Sequence, residues 1–160
     1  EYKIEDGDLS KLKMRMDIVP VSIALAQAAN ESGWGTSRFA LEGNALFGQW
    51  TWSKKGISPK NKDPNKSHKI LQFQILKASV KAYKNNLNTH NAYQEFREAR
   101  AQLRQEDKQI IGLYLTKYLK RYSAIGEKYV AILEDIIEKN SLTDFDKANL
   151  LPTKIKGVAL

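Results

Sequence analysis

Cysteine is absent from the 160-residue chain, which excludes disulfide staples and thiolate chemistry. Histidine occurs only twice, as His68 and His90, so no metal site is expected. No apolar run reaches membrane-spanning length; the longest candidate, around Val19 to Ala29, is interrupted by Pro20, Ser22 and Gln27. Acid is scarce over one long interval: between Glu42 and Glu95 there is no glutamate, and Asp63 is the sole carboxylate. Neither an internal repeat nor a low-complexity segment is found.

What is present is an ordinary globular balance, 42% hydrophobic and 28% charged, in a length that suits one domain with a real core. Net charge is +8 and the pI is near 9.5. Such a surface is either simply solvated or drawn to a polyanion: nucleic acid, an anionic membrane, or a wall bearing carboxylates. No helix concentrates arginines with base-reading polar residues, so nucleic-acid binding is not expected. The chain opens on Glu1 rather than Met and carries no signal-peptide pattern. A processed or excised fragment is therefore expected, with the targeting segment outside it.

Leu9, Leu12 and Met16 are spaced for a short amphipathic helix. Asp17 and Pro20 mark the start of a second, whose buried stripe is expected at Val21, Ala24, Leu25 and Ala28. Gly33 is its natural stop, which places Glu31 in the last turn. There the negative end of the helix dipole disfavours an ionised carboxyl. Residues 34–41 hold room for one helical turn. Residues 48–76 are expected as an irregular loop with a small β-hairpin, Leu71, Phe73 and Ile75 alternating with glutamines.

Four helical stripes follow: Val80, Tyr83, Leu87; then Tyr93, Phe96, Ala99, Leu103; then Ile110, Ile111, Tyr114, Leu115, Tyr118 with Asp107 in the first turn; and finally Ile125, Tyr129, Ile132, Leu133, Ile136, Ile137. The expected organisation is one domain over residues 1–140 and a loosely docked tail over 141–160.

Glycosidic cleavage needs a protonated carboxyl for the leaving oxygen and, usually, a second carboxylate or the substrate's own acetamido group. Glu31 fits the acid, because the run Asn30-Glu31-Ser32-Gly33-Trp34-Gly35 sets an indole and glycines just past it. Its bland alternative is a solvated glutamate at a helix end. Trp34, Phe47, Trp50 and Trp52 suit either core packing, the better reading for Phe47, or stacking on sugar rings. Six lysines between Trp52 and Ile70 surround Asp63, which is either a turn residue before Pro64 or a second catalytic group. Tyr122 is either a packing tyrosine or a hydroxyl aimed into a cleft.

Taken together, AQAANESGWGTSRFA and the following GNALFGQW resemble the signature of family 73 glucosaminidase domains, in their Bax-like branch. Ser67-His68-Lys69-Ile70, Ala78 to Tyr83, Asn86 to His90 and Arg121-Tyr122-Ser123 follow in that branch's order, over roughly residues 10–140. The resemblance implies a mainly α (α+β), lysozyme-like fold, with a helical domain and a small hairpin lobe bordering a cleft. It implies hydrolysis of the β-1,4 bond after N-acetylglucosamine in peptidoglycan, with Glu31 as general acid, Tyr122 as the cleft tyrosine and no cofactor. Trp34, Asn44, Phe47, Gln49, Trp50, Trp52 and His68 become the candidate substrate contacts. Where many members carry a second glutamate on the lobe, this chain offers only Asp63. A monomer in the bacterial envelope, or secreted, is expected. A lytic transglycosylase of the same fold and a non-catalytic glycan-binding module are the alternatives.

Overall fold

The computed structural model describes residues 1–4, 7–51, 56–58 and 69–149. It is mainly helical, with one small antiparallel sheet, consistent with a lysozyme-like fold. Helix α1 (Leu9–Met16) is capped by the Asp8 carboxylate, which accepts from the Lys11 amide. Helix α2 (Val21–Ser32) runs through the core and packs against the C-terminal helix and the segment after it.

The phase of α2 differs from the stripe expected for it. Ser22, Ile23, Ala26, Gln27 and Ala29 are buried, whereas Val21 is 41% and Leu25 40% exposed. Two polar residues account for the rotation. Ser22 and Gln27 both find hydrogen-bond partners inside, so burying them carries little penalty and the apolar pair turns outward. Asp17 does not cap this helix either; Pro20 holds the cap position. The Asp17 carboxylate instead accepts from the Ile18 amide and from Arg104.

Helix α3 (Arg38–Gly43) ends on Asn44, in the left-handed region at φ 49°. Beyond it the expected hairpin is a three-stranded sheet: β1 (Trp50–Thr51), β2 (Gly56–Ile57) and β3 (Lys69–Leu71), with β3 in the middle. Trp50 pairs with Ile70, and Ile57 meets Ile70 from the other side. Gly56 admits no side chain, since a Cβ there would lie 2.7 Å from Thr51 and 2.8 Å from Lys69. The alternation beyond Leu71 is not strand: the Phe73 amide donates to the Gly43 carbonyl, and Ile75 caps the next helix.

Helix α4 (Leu76–Thr89) buries Ser79, Tyr83 and Leu87, with Ser79 rather than Val80 facing inward. A 3₁₀ turn (Asn91–Tyr93) leads into α5 (Gln94–Gln105), where two arginines are buried beside Phe96. Arg97 donates to the carbonyl of Leu87 in the last turn of α4 and to that of His90 just past it. Arg100 serves the carbonyls of Met14 and Ile18 and the Asn88 side chain, and faces Asp17 at 3.7 Å. Thus α1, α4 and α5 are joined by guanidinium groups.

The third expected stripe is shorter than its pattern. Helix α6 (Gly112–Leu115) passes at once into a 3₁₀ helix (Thr116–Tyr122), and Asp107 lies in the preceding turn at φ 52°. Helix α7 (Glu127–Lys139) buries Tyr129, Val130, Leu133 and Ile137, while Ile125 and Ile132 stay exposed.

Beyond α7 the chain continues in contact with the helices as far as Lys147. A 3₁₀ helix (Leu142–Lys147) packs on α2 and α7. From it Asp146 accepts from the Ser22 amide, the Ser22 hydroxyl and the Gly112 amide at 2.8–2.9 Å. Among the described residues no helix is long and apolar enough to cross a membrane.

Candidate active site

Helix α2 stops where its sequence demands. Gly33 takes the left-handed conformation at φ 58°, and the Trp34 amide folds back to the Ala29 carbonyl at 2.8 Å. The buried Ser32 hydroxyl then ties the loop down, donating to Ala28 O and accepting from the Gly35 amide at 2.7 Å. Gly33, Trp34 and Gly35 are all left-handed, with φ of 58°, 57° and 78°. This turn holds the Trp34 indole 64% exposed, three residues past Glu31.

Glu31 sits half-buried in the last turn of α2. Its Oε1 accepts from the Tyr129 hydroxyl at 2.8 Å and from Asn30 Nδ2 at 3.2 Å. Tyr129 in turn accepts from Gln27 Nε2 at 2.9 Å, and Gln27 Oε1 accepts from the Tyr83 hydroxyl at 2.8 Å. The other oxygen, Oε2, lies against Gly48. A Cβ at that glycine would stand 2.9 Å from it.

Tyrosines gather on this carboxyl. Tyr122 stacks on Tyr129 with centroids 5.7 Å apart, and Tyr93 lies 6.0 Å beyond Tyr122. The Tyr122 hydroxyl donates to the Phe47 carbonyl at 2.9 Å, joining the 3₁₀ helix to the loop that carries Gly48. Burial pushes the phenols of Tyr129 and Tyr122 well above their usual range, and the negative charge of Glu31 pushes in the same direction. Both hydroxyls therefore keep their protons and act as fixed donors at any physiological pH.

The remaining candidates divide. Phe47 is 4% exposed and belongs to the core; its ring stacks on Tyr83 at 3.9 Å and its carbonyl accepts from Tyr122. Asn44 uses its side chain within the fold, donating to the Phe73 carbonyl at 3.0 Å. Gln49, beside Gly48 in sequence, keeps its side-chain oxygen buried without a hydrogen-bond partner among the described residues. Trp50, on β1, is 60% exposed. Trp52, Asp63 and His68 lie outside the described residues. Among the described residues no three His, Asp or Glu side chains gather as a metal centre requires.

Tyr129, Gln27, Tyr83 and Gly48 were not among the site residues read from the sequence, Tyr83 and Tyr129 standing there only as packing residues of helical stripes. One signal was available: Gln27 precedes Glu31 by four residues, so the two share a helix face, and a glutamine on a face otherwise built of small apolar residues needs partners. Chemically, the arrangement is a carboxyl with one oxygen held by fixed donors and the other turned to a glycine-floored loop.

Comparison with known proteins identifies the family. Residues 8–142 match a glucosaminidase family model described as mannosyl-glycoprotein endo-beta-N-acetylglucosaminidase. Protein bax of Escherichia coli (strain K12) is 43% identical over 115 residues, which cover 72% of this chain and 40% of that protein. The chain thus spans about two fifths of the length of that curated relative. No solved structure matches.

Proposed function

Because the chain belongs to the mannosyl-glycoprotein endo-beta-N-acetylglucosaminidase family, in its Bax-like form, we propose that it is a peptidoglycan hydrolase with Glu31 as general acid. It cleaves the β-1,4 bond after N-acetylglucosamine. The observation that carries this reading is the environment of Glu31, a carboxyl at the end of a buried helix with Oε1 bonded to Tyr129 and Oε2 facing Gly48. A single proton on Oε2 is what a glycosidic leaving oxygen requires.

Trp34 and Trp50, both exposed, supply faces on which sugar rings stack. Tyr122, stacked on Tyr129 and bonded to the Phe47 carbonyl, is the cleft tyrosine of this reading. The second half of the reaction is assigned to the substrate's acetamido group or to a water activated by Asp63, with Gln49 and Tyr122 as polar groups that orient it. The net charge of +8 favours an anionic wall, and the site of action is the bacterial envelope or the medium.

Digestion of purified peptidoglycan tests the reading. Glu31→Gln is expected to abolish muropeptide release, and mass spectrometry of the wild-type digest should reveal a reducing-end N-acetylglucosamine. Undiminished release by Glu31→Gln would remove the assignment. Anhydro-muramyl products would convert it to a lytic transglycosylase, which can use the same lone acid.

A further inference from the structure

We infer that Tyr129, held by Gln27 and Tyr83, is a positioning residue that locks Glu31 in one orientation and leaves Oε2, the oxygen over Gly48, to carry the transferred proton. The inference rests on the reading of Glu31 as the acid.

The direction of the hydrogen bonds supports it. Tyr83 gives its proton to Gln27 Oε1, so the amide presents Nε2 to Tyr129. With an oxygen lone pair engaged by that N–H, the Tyr129 proton points to Glu31 Oε1 at 2.8 Å. Oε1 also accepts from Asn30 at 3.2 Å. A carboxyl oxygen that already accepts two donors is the poorer place for the acid's own proton, and the proton resides on Oε2. There it meets the one residue type that permits close approach, since any Cβ at position 48 would stand 2.9 Å away.

Each member is fixed by something other than the chain itself. Gln27 and Tyr83 are fully buried, with Tyr83 stacked on Phe47, and Tyr129 is stacked on Tyr122. Structural packing alone explains rings at 83 and 129. It does not explain why two phenol hydroxyls and a carboxamide align from the core to one oxygen of the half-buried Glu31 carboxylate, where phenylalanine and leucine would fill the same volume.

The test compares Tyr129→Phe, Gln27→Met and the double variant on purified peptidoglycan, with Glu31→Gln as reference and thermal melts to establish folding. Tyr129→Phe is expected to lower kcat about ten- to a hundredfold, the scale of a misoriented catalytic group, with KM within about twofold. Losing a donor to the ionised carboxylate should also move the alkaline limb of the kcat profile to higher pH. Gln27→Met should give a smaller loss of the same kind, and the double variant should be no worse than Tyr129→Phe, because both act through one oxygen. An unchanged kcat and pH profile in folded Tyr129→Phe, or additive losses in the double variant, would overturn the inference while an inactive Glu31→Gln left the proposed function standing. If Tyr129→Phe does not fold, an unchanged kcat and pH profile in Gln27→Met overturns it equally. An active Glu31→Gln would overturn both.

Discussion

At Trp34 a bulky residue adopts φ 57° between two left-handed glycines, a conformation that costs a side chain bearing a Cβ about 1–2 kcal/mol. Local strain of this sort persists where it serves something other than stability. Packing does not require it, since the indole is largely exposed. Trp34→Gly should therefore raise the melting temperature by about 2–4 °C for each kcal/mol of strain released. The same change should raise KM for peptidoglycan about two- to tenfold, the size of a lost stacking contact. Differential scanning fluorimetry and initial-rate measurements on one preparation check both. A variant that is less stable and equally active would show that the indole is merely structural.

The segment Leu142–Lys147 makes a sharper demand on the fold than its composition suggests. Asp146 accepts three hydrogen bonds, from the N-terminal turn of α2 and the first residue of α6. Asp146→Ala orphans those donors, and at about 1–3 kcal/mol for a buried group left unsatisfied it should cost about 2–4 kcal/mol in urea unfolding. The same contact shows what the sequence made legible and what it did not. Gly33, Glu31 and the indole beside them were legible because they are local: a stop signal fixes the turn and the turn fixes the carboxyl. The phase of α2 was not legible, because it is decided by Asp146, Tyr83 and Tyr129, which lie far away in sequence and satisfy Ser22 and Gln27. The α5 stripe was incomplete for the same reason, since Arg97 and Arg100 are polar by type and buried only because carbonyls of α1, α4 and the α1–α2 connection need donors. Tyr129 was correctly placed in a buried stripe, but no periodicity reveals that its hydroxyl reaches Glu31.

Across the whole molecule, the N-terminal and central helices are held together through Asp17 and its arginines. Burial alone would raise the Asp17 carboxyl, but the bonds from Arg104 and the Ile18 amide and the charge of Arg100 outweigh it and hold it below the usual carboxylate value. A folded-state value below the unfolded one contributes stability above the unfolded value, and that stability is lost as pH falls through the folded value. Wild type should accordingly be more stable than Asp17→Asn at pH 7, by about 1–3 kcal/mol for a lost charged hydrogen bond. The two should converge in acid as the wild-type carboxyl takes up its proton. Urea midpoints measured from pH 7 down to pH 3 check this, and a gap independent of pH would assign the effect to packing rather than to charge.

Four of the seven tyrosines, at 83, 93, 122 and 129, stand in the single group around Glu31, while Trp34 and Trp50 project outward. Near-ultraviolet circular dichroism arises only from aromatic rings held in fixed packing. In this protein those four rings report on the surroundings of Glu31, and the molecule carries its own spectroscopic probe there. Loosening of this tyrosine group becomes visible in that band ahead of any loss of helix, without a label, a ligand or a substrate.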